Sequence, residues 1–405
     1  MKTVTRLLTI GFSLAALMAC TSVPGPNEAL GRPEPVTSPP VAVAQPAAQA
    51  APQSAALPQS AATGYLSPAF RMNARRAAHT ATLLSDGTVL VAGGFRPEGT
   101  SEVPIATAEI YDPGLGVFTP TGDMNEPRTG HTATLLPNGQ VLIVGGWSVG
   151  GRTATAELYD PQSRRFRYAA SMVAPRASMT ATLLPNGRVL IAGGDSARNT
   201  PQLIAEIYDP VADRFAQIAS LNQGRSAHTA TLLDDSNVLL VGGTSGNDTV
   251  LQSAEIYHPA NDEFTYAGDL TMVRYKHGAV KLDDGDVLVI GGSDQRDWTG
   301  KYASAEIYDA SSGTFSRITD LNRERFKLAD AVVLLGNGNV LVAGGNRQTE
   351  IYNAANQRFN LGEELDNDYF FSVVTLLNDG SALITGGYDA RIQPTDQAWR
   401  YIFSS

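Results

Sequence analysis

The stretch that decides the fold is Arg128–Gly146, RTGHTATLLPNGQVLIVGG. Two runs rich in β-branched and aliphatic residues, His131–Leu136 and Gln140–Val144, flank the pair Asn138-Gly139. Asn-Gly tolerates the positive φ angles of a tight, twist-matched turn, so the stretch reads as a β-hairpin. The hairpin recurs along the chain. Its closing Gly-Gly pair appears at 93–94, 145–146, 193–194, 242–243, 291–292, 344–345 and 386–387, with separations of 42 to 53 residues. Self-similarity at that period predicts a β-propeller, in which one four-stranded blade cannot bury both of its faces without neighbours.

Each unit carries the same further pieces. A third strand reads AEIYD at 108–112, AELYD at 156–160, AEIYD at 205–209, AEIYH at 254–258 and AEIYD at 305–309. A six-residue step then reaches an aromatic on a fourth strand, from Asp112 to Phe118, Asp160 to Phe166 and, in the sixth unit, Asn353 to Phe359. The seventh unit stops after Trp399–Phe403, where its third strand belongs. The missing fourth strand is expected from the other end of the chain, at Leu66–Met72. The expected fold is therefore all-β, a seven-bladed propeller over 65–405 closed by an N-terminal strand, a closure that removes an open sheet edge.

Ahead of the ring, Lys2 and Arg6 precede an apolar run, Leu7–Ala19, that ends at Cys20, the only cysteine in the 405 residues. Thirteen residues of helix span roughly 20 Å, short of a ~30 Å hydrocarbon core, so residues 1–20 read as an export signal. Residues 21–64 are rich in Pro, Ala, Gln and Ser without hydrophobic periodicity, which predicts a disordered tether. Loss of Lys2 and Arg6 with the signal takes the formal charge from −10 to −12. That acidity argues against nucleic acid or an anionic membrane as the main partner.

Two resemblances follow. Leu17-Met18-Ala19-Cys20 resembles the lipobox of bacterial lipoproteins. It implies a lipidated Cys20 carrying several acyl chains, palmitate among them, enough for stable anchoring. Thr21 after the cysteine is similar to the outer-membrane sorting signal of such proteins. Residues 66–405 resemble the kelch-repeat propellers, whose marks are the Gly-Gly after the second strand, the Tyr of AEIYD and the aromatic on the fourth. Their wording is most similar to the group related to the central domain of galactose oxidase. That oxidase uses copper held by two His and two Tyr, one Tyr cross-linked to a Cys, and this chain has no cysteine in its propeller to build such a site. A kelch relative, N-acetylneuraminate mutarotase, shows that the fold also hosts sugar chemistry needing only an acid and a base.

Residues repeated in every blade point first to structure. Arg76, Arg128, Arg176, Arg225 and Arg274 precede the inner strands, and Glu109, Glu157, Glu206, Glu255, Glu306 and Glu350 sit on the third strands. Their matched recurrence predicts Arg–Glu pairs, while the resemblance implies arginines ringing the pocket rim. His79, His131, His228 and His277 also stand one per blade, three residues after each Arg, with Met179, Asp330 and Ser372 in the other blades. Sevenfold-related positions seldom converge to the 2.0–2.1 Å that a metal needs, so no metal is expected.

Positions that break the repeat point to a ligand. Lys327 and Tyr369 are expected at the Arg position of blades 6 and 7. With Asp368, Asp389, Arg391, Arg296 and Trp298 they form the candidate site, on the face carrying the long loops Phe95–Ile105 and Asp294–Lys301. No nucleophile–base–orienter set or phosphate loop stands out, and Asp283–Asp286 occupies a hairpin turn rather than a calcium loop. The expectation is a lipid-anchored envelope module that binds a protein or glycan without catalytic residues or a cofactor. The alternative is a sugar-active mutarotase or epimerase using the same pocket.

Overall fold

The structure, a computed structural model, describes residues 64–403 other than 69–70, 99–100, 197–199 and 247–248. The expected export signal, Cys20 and all of the expected tether but Gly64 lie outside the described residues. Seven four-stranded antiparallel sheets make up the described chain, with two short hairpins beside them, Phe95–Glu98 with Ser101–Pro104 and Trp147–Ser148 with Gly151–Arg152. The blades follow chain order, and each inner strand abuts the inner strands of its two neighbours. Those strands run from Thr80–Leu83 in blade 1 to Val373–Leu376 in blade 7, and blade 7 meets blade 1, so the ring is closed.

Packing follows from sequence. Second strands such as Val89–Ala92 and Val141–Val144 are buried throughout and read as solid aliphatic runs, because both faces meet protein. Cores lie between blades rather than within them. Leu142 and Val144 of blade 2, for example, share one cluster with Met179, Val189 and Ile191 of blade 3. The six-residue step is a cross-strand pair: Tyr111 faces Phe118 in register, with ring centroids 4.7 Å apart, and blades 2 to 6 repeat the contact.

Gly64–Pro68 pairs with Ala398–Phe403 and completes the last sheet, Leu66 opposite Tyr401. The strand lies earlier than the expected Leu66–Met72. Pro68 has no N–H to continue a ladder, and the chain next reaches buried Met72, whose N–H donates to Asp396 O at 2.8 Å. Behind each second strand the Gly-Gly pair lies against the loop that carries the arginine of the next blade. Gly93 has φ +64°, and a Cβ there would lie 2.6 Å from Arg128 O.

Candidate functional site

The repeated arginines are interior. Arg128 illustrates the pattern: Nη2 donates to Glu157 Oε1 at 2.9 Å, and Nη1 donates to the carbonyls of Gly145 and Thr155 at 2.9 and 3.1 Å. Equivalent pairs join Arg76–Glu109, Arg176–Glu206, Arg225–Glu255 and Arg274–Glu306, and these guanidinium groups are 0% exposed. They clamp the Gly-Gly turn to the third strand and do not reach the rim that the resemblance implied for them.

Blade 6 corrects the alignment. Arg325, not Lys327, occupies the arginine position, donating to Glu350 Oε1 at 2.7 Å and to Gly344 O at 3.1 Å. Seventeen residues separate Arg274 from the glycine it bonds, and nineteen separate Arg325 from its own. The two extra residues form a turn at Ala329-Asp330. Leu328 therefore takes the histidine position, packing where a Cβ on Gly291 would lie, and Asp330 does not. In blade 7 Tyr369 does stand at the arginine position, and Trp399 replaces the third-strand glutamate. Their rings meet at a tilt of 42° with centroids 5.3 Å apart, so a buried aromatic pair replaces a buried ion pair. Tyr369 is thus packed between strands, with burial raising its phenol to about 12.

The four repeated histidines tie blades together. Nε2 of His131 is hydrogen-bonded to Thr80 Oγ1 of the preceding blade at 3.0 Å, and His79, His228 and His277 bond Thr385, Thr180 and Thr229 in the same way. Burial, with the neighbouring arginines adding to it, lowers all four, His131 and His277 to about 3, so the rings are neutral at pH 7. Among the described residues no three His, Cys, Asp or Glu side chains lie close enough to share a metal.

Between each arginine and the following inner strand lies a position the repeat leaves open: Ala78, Gly130, Ser178, Ala227, Lys276, Lys327 and Phe371. All seven have φ between +49° and +63°. Each donates its N–H to the carbonyl of the equivalent residue one blade back. The bonds run Gly130 to Ala78, Ser178 to Gly130, Ala227 to Ser178, Lys276 to Ala227, Lys327 to Lys276, Phe371 to Lys327 and Ala78 to Phe371. The result is a closed belt of seven backbone hydrogen bonds of 2.7 to 3.4 Å around the axis. A left-handed residue costs on the order of 1 kcal/mol for a side chain other than Gly. The belt offsets that cost by pairing backbone groups that would otherwise face the lumen alone.

On the side of blades 5 to 7 the belt side chains become large. Lys327 is fully buried, its Nζ 2.7 Å from Tyr388 Oη and 4.0 Å from the centroid of Trp298, with Phe326 at 4.6 Å and Phe370 and Phe371 at 5.8 Å. Burial among these rings, with Lys276 acting in the same direction, drives its ammonium down to about 6. Lys276 itself is ion-paired with Asp297 at 2.8 Å, and Tyr275 Oη donates to the same oxygen at 2.5 Å. Glu102 has one buried oxygen without a partner; burial raises its carboxyl and Lys327 partly counters that.

Of the seven candidates the structure thus brings only Lys327 and Trp298 into one cluster. Arg296 is exposed and bound to Asp294, Asp389 caps its own loop by accepting from the N–H groups of Arg391 and Gln393, and Asp368 accepts from Arg347 N–H. Arg391 is exposed. Sequence reasoning missed Tyr388, Phe326, Phe370, Lys276, Asp297 and Glu102. The signal for three blades was the belt position, where Ala, Gly, Ser and Ala give way to Lys, Lys and Phe.

Inside the belt a cavity of about 390 Å³ runs down the axis and is lined by residues of all seven blades. Each inner strand pairs in its sheet with the second strand of its own blade and turns its other edge toward the lumen, where Val374 N–H of blade 7 donates to Asp330 O. The walls are mainly Ala, Thr, Val and strand-edge backbone, and the charged residues on them are Lys276 and Asp330. Asp330 is exposed to the lumen yet surrounded by protein, a confinement that raises its carboxyl.

Residues 127–173 match the family model of the Kelch motif. This chain is a seven-bladed β-propeller carrying a Kelch motif. No curated protein matches its sequence. Many solved structures share the fold. Among them is a novel fungal alcohol oxidase of the AA5 family, described in complex with copper, with a TM-score of 0.69 and 16% identity over 84% of this chain and 76% of that one. At that identity the likeness concerns the fold. The copper chemistry that the galactose oxidase resemblance would bring does not fit the donors here. The repeated histidines spend Nε2 on threonines, and Tyr369 and Tyr388 sit among aromatic rings and a lysine. No helix among the described residues is long and apolar enough to cross a membrane.

Proposed function

We propose that this protein is a lipid-anchored binding module of the bacterial cell envelope, held at the outer membrane through Cys20, that takes a saccharide into its axial cavity. One observation carries the reading: a cavity of about 390 Å³ walled by seven inner-strand edges. Strand edges present backbone N–H and C=O groups, and a polyhydroxylated ligand matches such a wall by offering donors and acceptors on every side. The volume falls in the usual range of small-molecule sites. Binding is favoured over sugar catalysis because, among the described residues lining the lumen, Asp330 and Lys276 are the charged ones and Lys276 is engaged elsewhere. Lys276 is held by Asp297, and the buried histidines spend Nε2 on threonines and are held neutral.

The test is calorimetric titration of the full-length protein in detergent with an oligosaccharide panel, combined with hydroxyl-radical footprinting. Millimolar or tighter binding that protects the inner strands supports the reading. Absence of binding across the panel, or protection confined to the outer strands, overturns it. For the anchor, radiolabelled fatty acid should enter the natural protein and not Cys20→Ala; equal labelling rejects the lipidation.

A further inference from the structure

The two-residue insertion of blade 6 does more than shift an alignment. It turns the chain at Ala329-Asp330 and sets a carboxylate on the wall of a cavity that the other blades line with small or apolar residues, hydroxyls, three histidines and Lys276. Val374 N–H donates to the Asp330 carbonyl at 2.7 Å, which fixes the turn against blade 7. The carboxylate itself has no hydrogen-bond or ion-pair partner among the described residues, and no charged group offsets its confinement. The other charged residue on the wall is already neutralised, since Lys276 is paired with Asp297. The histidine rings beside the lumen are bonded through Nε2 and uncharged. The cavity therefore holds one uncompensated negative charge.

We propose that the ligand of the axial cavity carries a primary ammonium group, as an amino sugar does, and that Asp330 is the residue that binds it. This rests on the cavity being a saccharide site and names the class of saccharide. A confined carboxylate is costly when alone and gains most from a charge-assisted hydrogen bond. An ammonium suits the site because it is compact and carries three donors, one for the carboxylate and two for acceptors on the strand edges around it. A divalent cation fits less well, since it needs several oxygen ligands and among the described residues no three His, Cys, Asp or Glu side chains lie close enough to share one.

The test titrates the full-length protein at pH 7 with glucosamine, N-acetylglucosamine and methylamine, followed by NMR or calorimetry, in the natural chain and in Asp330→Asn and Asp330→Glu. The expected result is glucosamine binding about tenfold or more tighter than its N-acetyl counterpart, the size of one charge-assisted hydrogen bond. That preference should fall to about one in Asp330→Asn and persist in Asp330→Glu, with the melting temperature of each variant confirming its fold. Equal binding of both sugars by the natural protein overturns the ammonium proposal and leaves the saccharide reading standing. Methylamine binding that depends on Asp330, with neither sugar bound, supports the amine site and rejects the saccharide reading. No binding of any of the three overturns both.

Discussion

Replacing Arg128 by Met tests what holds each blade to its turn. The guanidinium of Arg128 serves four acceptors: Gly145 O, Thr155 O, Thr155 Oγ1 and Glu157 Oε1, at 2.9 to 3.1 Å. Methionine fills similar space and satisfies none of them. Glu157 would keep three donors, the N–H and Nδ2 of Asn125 and the N–H of Glu126, so its charge is not wholly stranded. Breaking one side of a buried ion pair typically costs ~3–5 kcal/mol, and these remaining bonds place the loss near the lower end, about 3 kcal/mol. For a domain of this size that is a fall in melting temperature of about 4 °C. The control is Arg317→Met, whose pair with Asp320 is about half exposed on both sides and should cost less than about 0.5 kcal/mol. Adding Glu157→Gln to Arg128→Met should cost less than the two single losses together, because the charge left behind is removed. Thermal and urea denaturation followed by near-ultraviolet circular dichroism would measure all four chains. An Arg128→Met loss of under about 1 kcal/mol, indistinguishable from that of Arg317→Met, would refute the clamp.

Three further outcomes are expected. Lys327, with its folded pKa near 6 against an ordinary 10.5, binds fewer protons folded than unfolded between those values, so stability should rise from pH 7 to pH 9. Lys327→Met should be at least as stable at pH 7 and lose most of that slope; an unchanged slope in urea melts would count against the buried neutral amine. His131 and His277, neutral when folded and lowered to about 3, remove stability as pH falls from about 6.5 toward 3. At pH 5 the loss is up to ~2 kcal/mol each, and the His131→Gln/His277→Gln double variant should show a shallower acid transition than the natural chain. Deleting residues 64–68 strips the outer strand from the last blade and exposes the edge of Ala398–Phe403, which should lower the melting temperature and promote association on size-exclusion chromatography. A monomer of unchanged melting temperature would mean that the closure contributes little.

The fold was legible because a repeat states the same physical requirement seven times. The Arg–Glu recurrence predicted the buried clamp that the structure contains, while the Gly-Gly pair and the Tyr–Phe step marked the blades, and the structure shows the close backbone approach and the ring pair behind them. Copying the period onto blade 6 failed, because Arg325 and Lys327 are both basic and two extra residues shift the count between them. Tyr369 was legible as a departure but misread as surface, since only the structure pairs it with Trp399, thirty residues later. Beyond Lys327 and Trp298, the cluster was legible only at its belt positions. Glu102, Trp298 and Tyr388 come from loops of blades 1, 5 and 7, and only ring closure makes them neighbours.

The division between what repeats and what varies has a mechanical cause. At the arginine and glutamate positions the side chain makes the contact, so a lone change leaves a buried group unpaired; blade 7 escapes by changing both members, Tyr369 with Trp399. At the belt position the contact is made by backbone N–H and C=O, and the side chain is unconstrained by it. Ala, Gly, Ser, Lys and Phe all satisfy the same seven-membered ring of bonds there. The insertion at Ala329-Asp330 exploits similar freedom, since it lengthens the link between belt and inner strand without breaking the Arg325–Glu350 clamp. A propeller built this way can change what surrounds its axis blade by blade at little cost in stability, which is why the lysine cage and the lone carboxylate both lie where the repeat is enforced by backbone alone.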